Sequence, residues 1–167
     1  VSGSNAGTFA TFENLAGRLV ARTGAANPLT GQDIGSLSAA ALGDLDNDGD
    51  LDLVSGELAG VFFYFENTGT ASNPAFIART GAANPLNGQD VGNGSTGSFG
   101  DLDDDGDLDF VTGSSDGTLR YFENTGNATT PTFTPRTGVA NPLNGQDVGL
   151  TSAPALGDLD GDGDLDL

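Results

Sequence analysis

The chain contains no cysteine, methionine, histidine or lysine, and its only basic side chains are five arginines in 167 residues. Without cysteine there is no disulfide framework, no thiol chemistry and no soft-metal site. Without histidine and lysine the commonest general bases and the amine nucleophile are missing, so any catalysis would fall to carboxylates, tyrosine, arginine or a metal. No apolar run approaches the roughly 20 residues of a membrane helix, and none of these residues is expected to serve as a signal peptide. The missing initiator Met is expected of a processed chain or of an excerpt of a longer one. Long helix-forming runs are also lacking, while 27 Gly accompany many Asn, Ser and Thr. That composition reads as strands joined by tight turns, with almost no helix.

Carboxylates are what the chain has in excess: 24 acidic residues give a net charge of -19. Such a charge repels nucleic acid and anionic membrane surfaces and makes cations the expected partners. The charge is focused. Asp44-Leu-Asp-Asn-Asp-Gly-Asp-Leu-Asp52 recurs from Asp101 to Asp109 and from Asp158 to Asp166, each copy 57 residues after the last. Odd positions of each copy are Asp and the sixth is Gly, an arrangement that wraps oxygens around calcium. A cation that takes six to eight oxygens at about 2.3–2.6 Å needs several carboxylates converging from a tightly curled backbone.

Side-chain ligation is therefore assigned to Asp44, Asp46, Asp48 and Asp52, with the carbonyl of Asp50 at the seventh position and Gly49 permitting the turn. The second copy offers Asp101, Asp103, Asp105 and Asp109 with the carbonyl of Asp107. The third offers Asp158, Asp160, Asp162 and Asp166 with that of Asp164. Position four varies among Asn47, Asp104 and Gly161, as expected of a residue pointing away from the ion. An EF-hand is excluded because its bidentate Glu at position twelve is Ser55 or Thr112 here, and the flanks read as strands. Solvent-facing Asp-Gly turns are the ordinary alternative, but three copies at fixed spacing crowd like charge too closely for that. About three Ca²⁺ per chain are expected, which would bring the charge to -13.

The rest of the unit repeats as well. Each begins Val1-Ser-Gly, Val54-Ser-Gly or Val111-Thr-Gly, passes through Phe12-Glu-Asn, Phe65-Glu-Asn or Phe122-Glu-Asn, and closes on an Asn-Pro-Leu segment followed by Gly-Gln-Asp. In the second unit four strand-length stretches fall at 39–45, 51–55, 60–66 and 75–79. Phe62 and Phe65, matched by Phe9 and Phe12 and by Leu119 and Phe122, are the bulky residues expected to pack sheet on sheet. Arg22, Arg79 and Arg136 are expected to cap strands rather than serve an acidic loop. Asp33, Asp90 and Asp147 are expected to brace the connections between units, and Tyr64, Tyr121 and Phe63 to serve packing. Asn127-Ala-Thr129 and Asn93-Gly-Ser95 match glycosylation sequons, which arise often by chance in such a composition.

Four antiparallel strands per unit with a long return connection point to β-propeller blades, with a β-solenoid as the competing architecture. At this point the chain resembles the FG-GAP/VCBS repeat family, whose calcium-binding blades also occur in the integrin α-subunit head. The resemblance is carried by Leu42-Gly-Asp, Phe99-Gly-Asp and Leu156-Gly-Asp before the loops, and by Leu-Asp-Leu-Val-Ser-Gly or Leu-Asp-Phe-Val-Thr-Gly after them. It implies calcium held between the first and second strands of each blade.

The expected organisation is all-β, one repeat domain over 1–167. Residues 1–37 supply the outer strands of a split blade, 38–94 and 95–150 are whole blades, and 151–167 supply an inner strand and a calcium loop. The expected role is that of a non-enzymatic calcium-binding module, extracellular or at a cell surface, acting in structure, adhesion or protein interaction. A carbohydrate-binding propeller and the propeller domain of a polysaccharide-degrading enzyme are the alternatives. Further blades from the same parent chain or from identical chains are expected partners, as a homo-oligomer or filament, with glycans or cell-surface proteins as further candidates and no nucleic acid or membrane insertion.

Overall fold

The computed structural model describes all residues from Val1 to Leu167. It is all-β apart from three single-turn 3₁₀ segments at Gly24–Ala26, Gly81–Ala83 and Gly138–Ala140, one in each Asn-Pro-Leu connection. The first sheet orders β1 (Ser2–Gly3), β2 (Phe9–Leu15) and β3 (Arg18–Arg22). The second orders β4 (Ala39–Gly43), β5 (Asp52–Gly56), β6 (Phe62–Asn67) and β7 (Phe76–Arg79). The third repeats it with β8 (Thr96–Gly100), β9 (Asp109–Gly113), β10 (Leu119–Asn124) and β11 (Phe133–Arg136). Every pairing is antiparallel, and the register is common to all: Leu53 faces Phe65 as Phe110 faces Phe122.

Period-two alternation gives each sheet two working faces. On β6, Phe62 and Tyr64 point toward the third sheet, whereas Phe63 and Phe65 point back toward the first. The core is accordingly divided into two layers between sheets. One joins Phe9, Leu29 and Ile34 to Leu53 and Phe65. The other joins Phe62, Tyr64, Leu86 and Val91 to Phe110, Phe122 and Phe133, with Phe110 and Phe62 edge-to-face at 5.2 Å between ring centres. Neither sheet face can be dry without its neighbour, which is why the unit repeats.

A second device fixes the spacing of successive sheets. Ser95, at the start of one inner strand, accepts the Glu57 amide at 3.0 Å and donates to the Glu57 carbonyl at 3.1 Å, docking against the end of β5. Ser152 makes the same pair with Ser114, and Ser38 the equivalent contacts with Ser4. Gly3, Gly56 and Gly113 lie beneath these serines, where a Cβ would overlap the serine backbone.

The three sheets do not close into a ring. The 151–167 stretch, expected to supply an inner strand, contains only the single bridge between Gly157 and Asp166. Its segment 153–156 has no strand beside it to pair with, and Pro154 has no amide to donate.

Candidate metal centre

The first two acidic loops join the first two strands of their units, so both ends are clamped by a hydrogen-bonded ladder while the middle curls; the third is closed only by the bridge between Gly157 and Asp166. The curl is enforced by backbone conformation. Gly49 and Gly106 lie at φ 95° and 93°, and the preceding variable positions Asn47 and Asp104 at 58° and 61°. Position four therefore varies only among Asn, Asp and Gly because it is left-handed, and those residues tolerate that region best. Gly161 and Gly163 do the same in the third loop.

The curl gathers carboxylates. One oxygen each from Asp44, Asp46 and Asp48 lie within 4.8 Å of one another, as do oxygens from Asp101, Asp103 and Asp105, and from Asp158, Asp160 and Asp166. Backbone amides hold the first aspartates in place: Asp44 Oδ2 accepts the Gly49 amide at 3.0 Å, Asp101 Oδ2 that of Gly106 at 3.0 Å, and Asp158 Oδ2 that of Gly163 at 3.2 Å. Asp48 and Asp105 each accept the amide two residues on.

Residues at the seventh position do more than offer a carbonyl. Asp50 and Asp107 are buried, and the Oδ1 of each has no hydrogen-bond partner; Asp101 Oδ1 is in the same state. A buried, unpartnered carboxylate oxygen is costly, and a cation is the partner that would satisfy it. Burial, reinforced by the neighbouring carboxylates, raises the pKa values of Asp46, Asp50, Asp103 and Asp107. The donor set is all hard oxygen, which fits calcium.

The ninth-position aspartates are placed differently from the first three. Asp52 is 1% exposed; its Oδ1 accepts the Asn67 amide at 2.7 Å, and its Oδ2 accepts the Leu45 amide at 3.1 Å and the Tyr64 hydroxyl at 3.0 Å. Asp109 repeats this with Asn124, Leu102 and Tyr121. Three of about four lone-pair directions are thus occupied, leaving one for an ion. Burial pushes the Asp52 carboxyl up to about 6 despite these hydrogen bonds. Asp166 accepts the Leu159 amide yet lies with Asp158 and Asp160. Asp162 and Asp164 are exposed and outside that trio.

The remaining repeated residues have structural partners. Arg79 makes a two-pronged ion pair with Glu66 at 2.8 and 2.6 Å, Arg136 does so with Glu123, and Arg22 reaches Glu13 at 3.4 Å, all across neighbouring strands. Asp33, Asp90 and Asp147 each accept the amide two residues on and bridge to the start of the preceding hairpin. The Asn93 sequon ends on Ser95, which is buried in the clasp. Sequence reasoning missed the tyrosine hydroxyls under Asp52 and Asp109 and the serine clasps. Both recur at 57-residue intervals, Tyr64 with Tyr121 and Ser38 with Ser95 and Ser152, so the signal was there.

Compared with known families, residues 101–167 match the model of the FG-GAP-like repeat. No curated protein and no solved structure matches the chain. The matched stretch begins at the second acidic loop, runs through β9–β11 and ends with the third loop. Its sequence unit is the one the preceding residues also carry, and the chain is accordingly an all-β repeat protein whose residues 101–167 are similar to the FG-GAP-like repeat.

Proposed function

We propose that the protein is a calcium-binding, propeller-type repeat module that acts outside the cell as a structural or interaction element and performs no catalysis. The observation that carries this reading is the set of buried, unpartnered oxygens on Asp50, Asp101 and Asp107 within carboxylate-lined loops. Calcium in each loop would cancel the repulsion among converging carboxylates and tie the loop to the two strands it joins. Asp44, Asp46, Asp48 and Asp50 would hold the first ion, with Asp52 steered by Tyr64, and Asp101, Asp103, Asp105 and Asp107 the second, with Asp109 steered by Tyr121. Asp158, Asp160 and Asp166 would hold the third. Extracellular millimolar calcium is the setting in which exposed loops of this kind fill.

Native mass spectrometry in millimolar calcium tests the proposal. The expected spectrum has about three Ca²⁺ per chain, with one fewer in Asp44→Asn and one fewer in Asp101→Asn. A chain that retains no calcium, or variants that retain as much as the wild type, would overturn it.

A further inference from the structure

The carboxylates of the first loop are not equivalent. Asp44 accepts backbone amides on both oxygens, from Asp48 at 3.1 Å and from Gly49 at 3.0 Å, and Asp46 and Asp48 accept one each. Asp52 accepts two amides and the Tyr64 hydroxyl. Each of these donors offsets part of a negative charge. Asp50 lacks that relief: it is 7% exposed, and its Oδ1 has no partner. The side-chain charges that act on it are those of Asp48 and Asp44, both negative. Asp107 repeats this state at 8% exposure, with Asp105, Asp109, Asp103 and Asp101 acting on it. No arginine is among these neighbours; Arg22, Arg79 and Arg136 are committed to glutamates on adjacent strands. The odd positions of each loop carry five carboxylates, of whose charges calcium cancels two and leaves three. Charge count and rigidity tune the affinity of such loops, and here the ladders at both ends limit relief by splaying.

We infer that Asp50 and Asp107 set the first and second loops for a trivalent cation of calcium's size, a lanthanide ion, in preference to calcium. The inference rests on the reading that these loops hold hard cations. A lanthanide ion shares calcium's preference for oxygen and its tolerance of irregular geometry, and it brings one more positive charge to carboxylates that no hydrogen bond or arginine offsets. The seventh position is thus the selecting one. Its carbonyl serves either ion alike, whereas its buried side-chain charge favours the ion of higher charge. Loops of this kind collect lanthanide ions from a calcium-containing medium.

Terbium luminescence tests this. The chain has two tyrosines and no tryptophan, and Tyr64 and Tyr121 each touch a ninth-position aspartate, so tyrosine-sensitised terbium emission reads the first two loops. Calcium is titrated against the terbium-loaded wild type, D50N/D107N and D104N, with thermal melts establishing that each variant folds. Asp104 is exposed, so D104N removes one charge away from the ion. The wild type is expected to hold terbium at least about a hundredfold more tightly than calcium, and D50N/D107N to lose at least about tenfold of that preference, while D104N keeps it. Equal affinities for the two ions in the wild type overturn the inference by themselves. A preference unchanged in D50N/D107N, or lowered as much by D104N, overturns it as well. A protein that takes terbium yet retains no calcium in the mass spectrum fails the calcium reading and leaves this inference standing, whereas one that binds calcium and terbium equally fails this inference alone.

Discussion

Removal of calcium is the perturbation whose size the structure constrains best. In the first loop, three carboxylate oxygens lie within 4.8 Å of one another. At an effective dielectric of about 20, a pair at that limiting distance costs about 3.5 kcal/mol and a closer pair more, with water screening reducing both. Weak extracellular sites have dissociation constants of about 10⁻⁴–10⁻³ M. At ~10 mM calcium, mass action then stabilises the fold by about 1.4–2.7 kcal/mol per site. The two loops clamped by complete sheets together contribute about 3–5 kcal/mol, less than the unscreened repulsion among their carboxylates. For a chain of this size, with about 2–4 °C per kcal/mol, the melting temperature should rise about 10 °C between chelator and calcium. Differential scanning calorimetry reads that shift, and D44N/D101N should abolish most of it. A shift below about 2 °C would refute the reasoning, because it leaves less than about 1 kcal/mol for both sites.

Other consequences follow from the second layer and the clasps. Without calcium the buried Asp52 carboxyl, at about 6 against an ordinary 3.8, keeps its proton longer in the folded state than in the unfolded one. Its contribution is then full below about pH 4 and lost as pH rises through about 6, a change on the order of 3 kcal/mol. Calcium should reverse the slope, since protonation expels the ion. Melting curves from pH 4 to 7 in chelator check this, and stability that climbs steadily with pH would contradict it. Tyr64→Phe removes the hydroxyl from a buried carboxylate and should cost about 1.5–3 kcal/mol in urea unfolding; an unchanged midpoint would mean the hydroxyl does not hold Asp52. Ser95→Ala leaves the Glu57 amide and carbonyl without their buried partner and should cost about 2–3 kcal/mol, whereas Ser72→Ala at an exposed hairpin tip should change little.

The amino-acid sequence by itself determined the local structure of this protein. Asp at alternate positions with Gly at the sixth sets the loop curl, because Asp44, Asp46 and Asp48 each accept a backbone amide a few residues on and the glycine takes a conformation that side chains resist. Alternation along Phe62-Phe-Tyr-Phe65 sets strand type and both packing faces, since successive side chains must point oppositely. The observed strand ends lie within two residues of those expected from the turns. Tertiary structure alone decided what depends on residues far apart in the chain. Asp52 and Asp109 are spaced as ligands, yet the tyrosines and asparagine amides of the next strand bind most of their lone pairs, a competition invisible to spacing. Asp50 and Asp107 were expected to offer only a carbonyl, and it is their burial in the folded chain that leaves their side-chain oxygens without partners. Pro154 and its neighbours carry the residues of an inner strand but form none, because a strand exists only when another backbone lies beside it to take its hydrogen bonds.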